Sequence, residues 1–451
     1  MSTHLRAFAL CTFLSGCASY QALPLDAPSA APARLRVDPR TMPFPELAAH
    51  RFDPSDGLDA IEAAMLAVVN NPDLKLARDD AAIAHAQAFS AGLLPDPQLA
   101  LSHDLSNTGG PGATRAYSFG LNYDVTGLLT HASLHGAARS EAGKTDLNVL
   151  WQEWQVVSQV RLLFVKLTQS QQLMAVLADN EALFADRLRR TQSALERGLL
   201  SSEAVTPNMT ALQDVRRQIF ELRRQRNQTM HDFNALLGLD AGTVVQLQDG
   251  ADFAALDEPA VLAAMDDLAR RRPDLLALAA GYQAQDQRYR GALLAQFPAL
   301  NVGLTRARDS SGVDSNALGV TLSLPIFNRN RGNIAIEKAS RQKLNDEYRQ
   351  RLQTGRNDIV SILAEQKLNM EQMARIVADI EQLSAALARG DTALRANNID
   401  ALLYANARAA LLSKQCERIN LQQAILEQRV ALQTLLGVDL PMHQLSGEHP
   451  Q

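Results

Sequence analysis

The sequence predicts a mainly α-helical chain with a small β part, built as one unit written twice. Three observations carry this. Landmarks recur at a nearly constant offset: Asn71-Pro72-Asp73-Leu74 and Arg272-Pro273-Asp274-Leu275 lie 201 residues apart, and Leu236-Leu237-Gly238-Leu239-Asp240 and Leu435-Leu436-Gly437-Val438-Asp439 lie 199 apart. Long stretches carry apolar residues on a 3.5-residue period, which specifies coiled-coil packing. Two pairs of short segments alternate apolar and polar residues, the period of a strand.

Composition agrees. Of 451 residues 46% are hydrophobic but only 5% aromatic, a balance suited to long helices. Lys and Arg number 44 against 49 Asp and Glu, for a net charge of −5. That mild acidity argues against a nucleic-acid partner, which calls for a basic stripe. No run of about 18 apolar residues exists to span a membrane as a helix. A β-barrel escapes that test, because its alternating strands average out in hydropathy.

The N-terminus reads as residues 1–16 of signal peptide, with His4 and Arg6 ahead of the apolar run Ala7–Leu14. Leu14-Ser15-Gly16-Cys17 resembles a bacterial lipobox, with Cys17 lipidated as the first mature residue. Ser19, which is not Asp, implies sorting to the outer membrane. An ordinary signal peptide with a chance cysteine is the competing reading. Residues 17–55, with seven prolines from Pro24 to Pro54, predict a lipid-anchored extended arm. Cys11 is then removed and Cys17 capped, so Cys416 has no disulfide partner and reads as a packed helical cysteine.

The first repeat spans 56–240, with a helix near 72–94, a β-hairpin over 97–126 and a long helical hairpin. The second spans 241–439, with a helix near 274–296, a β-hairpin over 298–327 and its own long hairpin. A tail follows at 440–451. One face of the four strands carries Leu99, Leu101, Tyr117, Phe119, Leu121, Tyr123, Leu300, Val302, Leu304, Leu318, Val320, Leu322 and, in the expected strand ends, Val125, Leu324 and Ile326. The other carries candidate channel-lining residues: Ser102, Asp104, Ser118, Asn122, Asp124, Asn301, Thr305, Thr321 and Ser323. Alternation alone favours a half-buried antiparallel sheet on a soluble core. A small, polar second face beside a lipobox fits a channel wall. Four strands cannot close a membrane barrel, since about eight is the minimum. Open edges in lipid are costly, so the barrel must be shared by cyclic assembly.

The seam of the first long helix is Val156, Val160, Leu163, Leu167, Ser170, Met174, Leu177, Glu181, Phe184 and Leu188. The second is Ile359, Leu363, Gln366, Met370, Met373, Val377, Ile380, Ser384 and Leu387. A helix over 132–196 would measure roughly 95 Å. The hairpins turn at tips near Gly198, Leu199, Leu200 and Ser201 and near Asn397, Asn398, Ile399 and Asp400. Gly198 and its matched Asn397 tolerate positive φ after a helix, and Ser201 and Asp400 suit N-caps. Apolar Leu199, Leu200 and Ile399 suggest docking surfaces.

With the lipobox, the duplicated hairpins, Arg272-Pro273-Asp274 and Phe297-Pro298-Ala299-Leu300, the chain resembles the TolC-like outer membrane efflux proteins. Residues 91–97 (AGLLPDP) and 324–334 (LPIFNRNRGNI) are similar to the heavy-metal-efflux branch. The resemblance implies a homotrimer with a twelve-stranded barrel in outer membrane lipid and a twelve-helix periplasmic tunnel. It also implies a periplasmic adaptor (membrane fusion) protein docked on the tips, and an inner-membrane RND-type pump that supplies the energy. The duct would be passive, for metal cations or alternatively for small organic compounds. Acidic residues six and nine positions after the tip glycine often narrow the family's entrance. Here Ala204, Pro207, Leu403 and Asn406 stand there, leaving Asp391 and Asp400 as substitutes.

No catalytic constellation stands out, and no cofactor or bound metal is expected. Gly109-Gly110-Pro111-Gly112 lacks the Lys and helix of a phosphate loop. His131 and His135, at i and i+4, read as a surface or tunnel-wall pair, because nothing completes a metal site. Trp151 and Trp154 read as packing anchors. Arg270–Arg272, Arg223, Arg224 and Arg226 read as solvated helix faces or subunit contacts. A structural or adhesive envelope lipoprotein, using the helices as a spacer, is the other functional class.

Overall fold

The computed structural model describes residues 20–25, 36–104, 114–250, 253–395, 401–438 and 440. Residues 1–34 form a unit of their own, in which 20–25 carry no helix or strand. All named elements lie in the second unit. They run α1 (Pro45–Ala49), α2 (Ala60–Asn70), α3 (Pro72–Gly92), β1 (Gln98–Asp104), β2 (Ala116–Asp124), α4 (Val125–Glu196), α5 (Ser202–Leu236), α6 (Glu258–Asp266), α7 (Leu268–Arg271), α8 (Pro273–Leu294), β3 (Ala299–Arg308), β4 (Asp314–Ser323), α9 (Arg331–Arg395) and α10 (Ala401–Leu436). The fold is mainly helical with one small antiparallel sheet, as the periodicities imply. Among the described residues no helix is long and apolar enough to cross a membrane.

The 72-residue α4 is about 108 Å long at 1.5 Å per residue. It starts seven residues before the expected 132. Asp124 accepts the backbone N–H of Gly127 at 3.0 Å and caps the helix directly off β2. Val125, expected in the strand, therefore becomes the first helical residue. In the second hairpin β4 stops at Ser323, short of the expected Ile326. Pro325 has no N–H to give the ladder.

The first seam is buried as its period requires. Val156, Val160, Leu167, Leu177 and Phe184 are covered. Leu177 and Phe184 pack with Leu212, Val215, Ile219 and Leu222 of α5 and Leu412 of α10. The second seam departs from expectation. Ile359, Gln366, Ile376 and Leu387 are buried, with Met373, Ile380 and Leu383 packed beside them. Met370 and Val377 instead stand 58% and 41% exposed, and Ser384 is exposed too. Ile359, Gln366, Met373, Ile380 and Leu387 keep one seven-residue row inside, and Ile376 and Leu383 flank it in place of Met370, Val377 and Ser384, leaving Met370 and Val377 as an uncovered apolar stripe.

The recurring landmarks are structural fasteners. Asn71 caps α3 by accepting from Asp73 and Leu74, each at 3.0 Å, and donates its amide to Leu236 O at 3.0 Å. Gly238 has φ +64°, and a Cβ there would lie 2.4 Å from Asn70 O. Only glycine permits both the conformation and the approach. In the second repeat Arg272 replaces the asparagine and pairs with Asp274, Nη2 to Oδ2 at 2.7 Å. Both side chains are under 10% exposed. Arg272 is thus a correction to the solvated face expected of Arg270–Arg272. Arg223 lies over Phe220 and Arg224 pairs with Glu221, both on an exposed face of α5.

Residues ahead of α2 are fastened to α4. Phe44 meets Trp154 edge-on at 5.1 Å between ring centroids, and Trp154 Nε1 donates to Thr434 O at 3.0 Å. Glu46 pairs with the nearly buried Arg161 at 2.5 Å. Trp151 lies beneath the Arg272 guanidinium. Both tryptophans serve packing. Cys416 is half-buried against the α4–α5 core, and burial pushes its thiol pKa up.

Candidate channel wall and helical entrance

The four strands form one antiparallel sheet in the order β1-β2-β3-β4. Register decides which residues share a face, because a one-residue slip would invert every strand. Leu99 pairs with Leu121, Leu121 with Leu304 and Leu304 with Leu318. One apolar row therefore crosses all four strands. Tyr123, Val302 and Val320 form the next row towards the helices. The other face carries Ser102 opposite Ser118, Gly120 opposite Thr305, and Asn122 opposite Gly303. Asn301 sits between Asp124 and Thr321. All nine candidate lining residues fall on this second face.

Local contacts hold that face in shape. The Ser102 and Ser118 hydroxyls bond at 2.8 Å. A Cβ at Gly303 would come 2.1 Å from Asn122 Oδ1, so the missing side chain makes room for that amide. Asp124 spends one carboxylate oxygen on the α4 cap. Among the described residues Asp104 and Asp124 are the only charged side chains on this face, and no Lys or Arg interrupts it.

The apolar face is exposed: Leu99 is 63% accessible, Leu304 61% and Leu318 69%. Towards the helices Tyr123, Leu300 and Val302 are half-buried, but among the described residues no second layer covers the rest of this face, as it would in a half-buried sheet on a soluble core. Among the described residues the outer edges of β1 and β4 have no strand partner.

At the far end of α4, Gly198 has φ +71°. Its N–H bonds to Leu195 O at 2.9 Å and that of Leu199 to Ala194 O at 2.9 Å, closing the helix. Leu199 is 70% exposed and Leu200 39%. Ser201 occupies the N-cap position of α5, but its side chain makes no capping bond; the hydroxyl cap expected of it is corrected. Asn397, Asn398, Ile399 and Asp400 lie outside the described residues, as does Cys17. Pro207 lies inside α5, and Leu403 and Asn406 are exposed on α10. Near this end Arg187 of α4 lies 3.5 Å from Asp391 of α9, with its guanidinium 3.9 Å above the Tyr404 ring of α10. One arginine thus ties three helices together. The sequence singled out Asp391 but not this tie, since Arg187 lies about 200 residues from both of its partners.

His131 donates from Nε2 to Gly92 O at 3.1 Å, and its ring centroid is 5.9 Å from that of His135. Among the described residues no three His, Cys, Asp or Glu side chains converge on a metal position.

Residues 264–438, within the second repeat, match the family model for outer membrane efflux protein. No curated protein matches the sequence. Solved structures match the fold over most of its length. The CusC structure, described in connection with transmembrane channel formation, superposes with a TM-score of 0.72 at 19% identity, covering 86% of this chain and 95% of that one. The outer-membrane channel OprN gives 0.73 at 16%, covering 93% and 98%. The Campylobacter jejuni CmeC outer membrane channel gives 0.73 at 15%, covering 95% and 96%. The TolC-like resemblance carried by the sequence motifs is borne out.

Proposed function

We propose that this chain, whose fold is that of the TolC-like outer membrane efflux channels, is one third of a passive exit duct in the outer membrane of a Gram-negative bacterium. The sheet carries this reading. It has one apolar and one small, polar face, and two unpaired edges. In lipid each unsatisfied backbone group costs several kcal/mol, so further copies must pair those edges. Three chains supply twelve strands, and their four long helices each supply a twelve-helix tunnel. The uncovered stripe at Met370 and Val377 fits the neighbouring subunit. A spacer lipoprotein would need none of this sheet.

The lining hydroxyls and amides, with Asp104 and Asp124 as the only charges, favour cations without gripping them. That supports the metal-cation reading of the 91–97 and 324–334 motifs; small organic compounds are the alternative cargo. In this reading no chemistry is catalysed, and an RND-type pump drives export through an adaptor. Cys17 is the proposed lipid anchor, and Cys17→Ser removes fatty-acid labelling if so.

The direct test is purified protein in a planar bilayer. A trimer with cation-selective conductance is expected; a monomer released from membranes by salt would overturn the reading. Deleting the gene and challenging with metal ions and drugs assigns the cargo, and sensitivity to organic compounds alone would reject metals. The adaptor is expected at Gly198–Ser201 and residues 397–400. Leu199→Asp with Ile399→Asp is therefore expected to abolish export while the trimer persists, and normal resistance would show that the tips do not dock.

A further inference from the structure

The alternation of β3 stays apolar on one face through Leu300, Val302 and Leu304, then places Arg306 and Arg308 at its last two positions on that face. The inference below rests on the proposed barrel, in which this face meets lipid. An arginine costs about 2–4 kcal/mol at the middle of the bilayer and about 0–1 kcal/mol near its surface. Two in succession therefore mark where hydrocarbon ends. This end of the sheet carries the β-hairpin loops, opposite the periplasmic helices, so the boundary is the outer leaflet.

Their neighbours shape a binding surface. Arg306 lies between Phe119 and Asn316, and Arg308 between Tyr117 and Asp314. The aromatic pair suits the interface between acyl chains and headgroups. Among the described residues neither guanidinium has a carboxylate within ion-pair distance, although Asp314 is the register partner of Arg308. Arg306 is exposed, and Arg308 Nε is buried without a hydrogen-bond partner. Guanidinium forks match phosphate oxygens in bidentate geometry.

We propose that Arg306 and Arg308 bind the phosphate of an anionic outer-leaflet lipid headgroup, once per subunit. The probe is bisphosphorylated lipid A, added to the detergent-purified trimer and followed by native mass spectrometry and thermal unfolding. Wild type is expected to retain roughly tenfold more lipid A than Arg306→Gln with Arg308→Gln, the effect of one lost charge-assisted bond. Dephosphorylated lipid A is expected to bind like the variant, and Arg306→Lys with Arg308→Lys to recover part of the retention. Equal retention by wild type and the Gln variant would overturn the proposal. So would equal stabilisation of wild type by inorganic phosphate, which would make the site a free-anion site. If the Gln variant does not assemble, the comparison of phosphorylated and dephosphorylated lipid on wild type decides. Conductance separates the two readings: a conducting trimer indifferent to lipid A sinks only this inference, whereas a chain that forms no trimer sinks the channel.

Discussion

Leu304→Arg is expected to impair trimer assembly and export, whereas Thr305→Arg, one position along the same strand, leaves the trimer intact and weakens its cation preference. Leu304 lies in the row that joins Leu99, Leu121 and Leu318. An arginine there lies one row inside Arg306, so its cost falls between about 0–1 kcal/mol at the bilayer surface and about 2–4 kcal/mol at its middle, in each of three subunits. Summed over the trimer, that is a sizeable part of the roughly 5–15 kcal/mol that stabilises an ordinary domain. Thr305 lies on the opposite face between Gly120 and Ala317. Three guanidiniums there meet water and offset half of the six Asp104 and Asp124 carboxylates that three chains place on the wall. Membrane fractionation with native gels reads assembly, and the reversal potential in a salt gradient reads selectivity. A Leu304→Arg protein that assembles and conducts would show that this face does not meet lipid. A Thr305→Arg trimer with unchanged selectivity would show that the other face does not line the path.

The contrast depends on which face each residue takes, and that was legible in the sequence because a strand has period two. The alternation placed all nine lining candidates on one face without a coordinate. The ends of the strands were less legible. Val125, Leu324 and Ile326 continue the alternation, but the Asp124 cap and Pro325 end the strands before them. Hydrophobic period sees neither caps nor missing donors. The second coiled-coil seam was half legible. The row Ile359, Gln366, Met373, Ile380 and Leu387 stays inside, but it is flanked by Ile376 and Leu383 and not by Met370 and Val377, because apolar residues stand on both sides of that row and period alone does not say which side meets the next helix. The Arg187 tie and the Arg306–Arg308 pair left weaker traces. The first joins residues distant in sequence, and the second is a break in alternation that becomes meaningful only once the register assigns its face.

Asp274→Ala is expected to destabilise the second repeat by about 3–5 kcal/mol, the cost of leaving one member of a buried ion pair without its partner. The sequence read Arg272 as solvated, but its side chain is 4% exposed, held in two hydrogen bonds by Asp274 and lying over Trp151. Its Nη1 points at Gly355, where a Cβ would come within 2.5 Å, so the guanidinium has no room to swing away. Asp274 also sits in the first turn of α8, where a carboxylate complements the positive end of the helix dipole. Removing it leaves Arg272 facing that dipole, with the Arg351 guanidinium nearby losing its 3.5 Å contact as well. Arg272→Met with Asp274→Leu replaces both charges by apolar groups of similar volume and is expected to cost much less than Asp274→Ala alone. The measurement is the thermal midpoint of helix loss in detergent, compared between Asp274→Ala and the double variant. Equal losses for Asp274→Ala and the double variant would show that the cost lies in packing at this joint and not in the stranded charge.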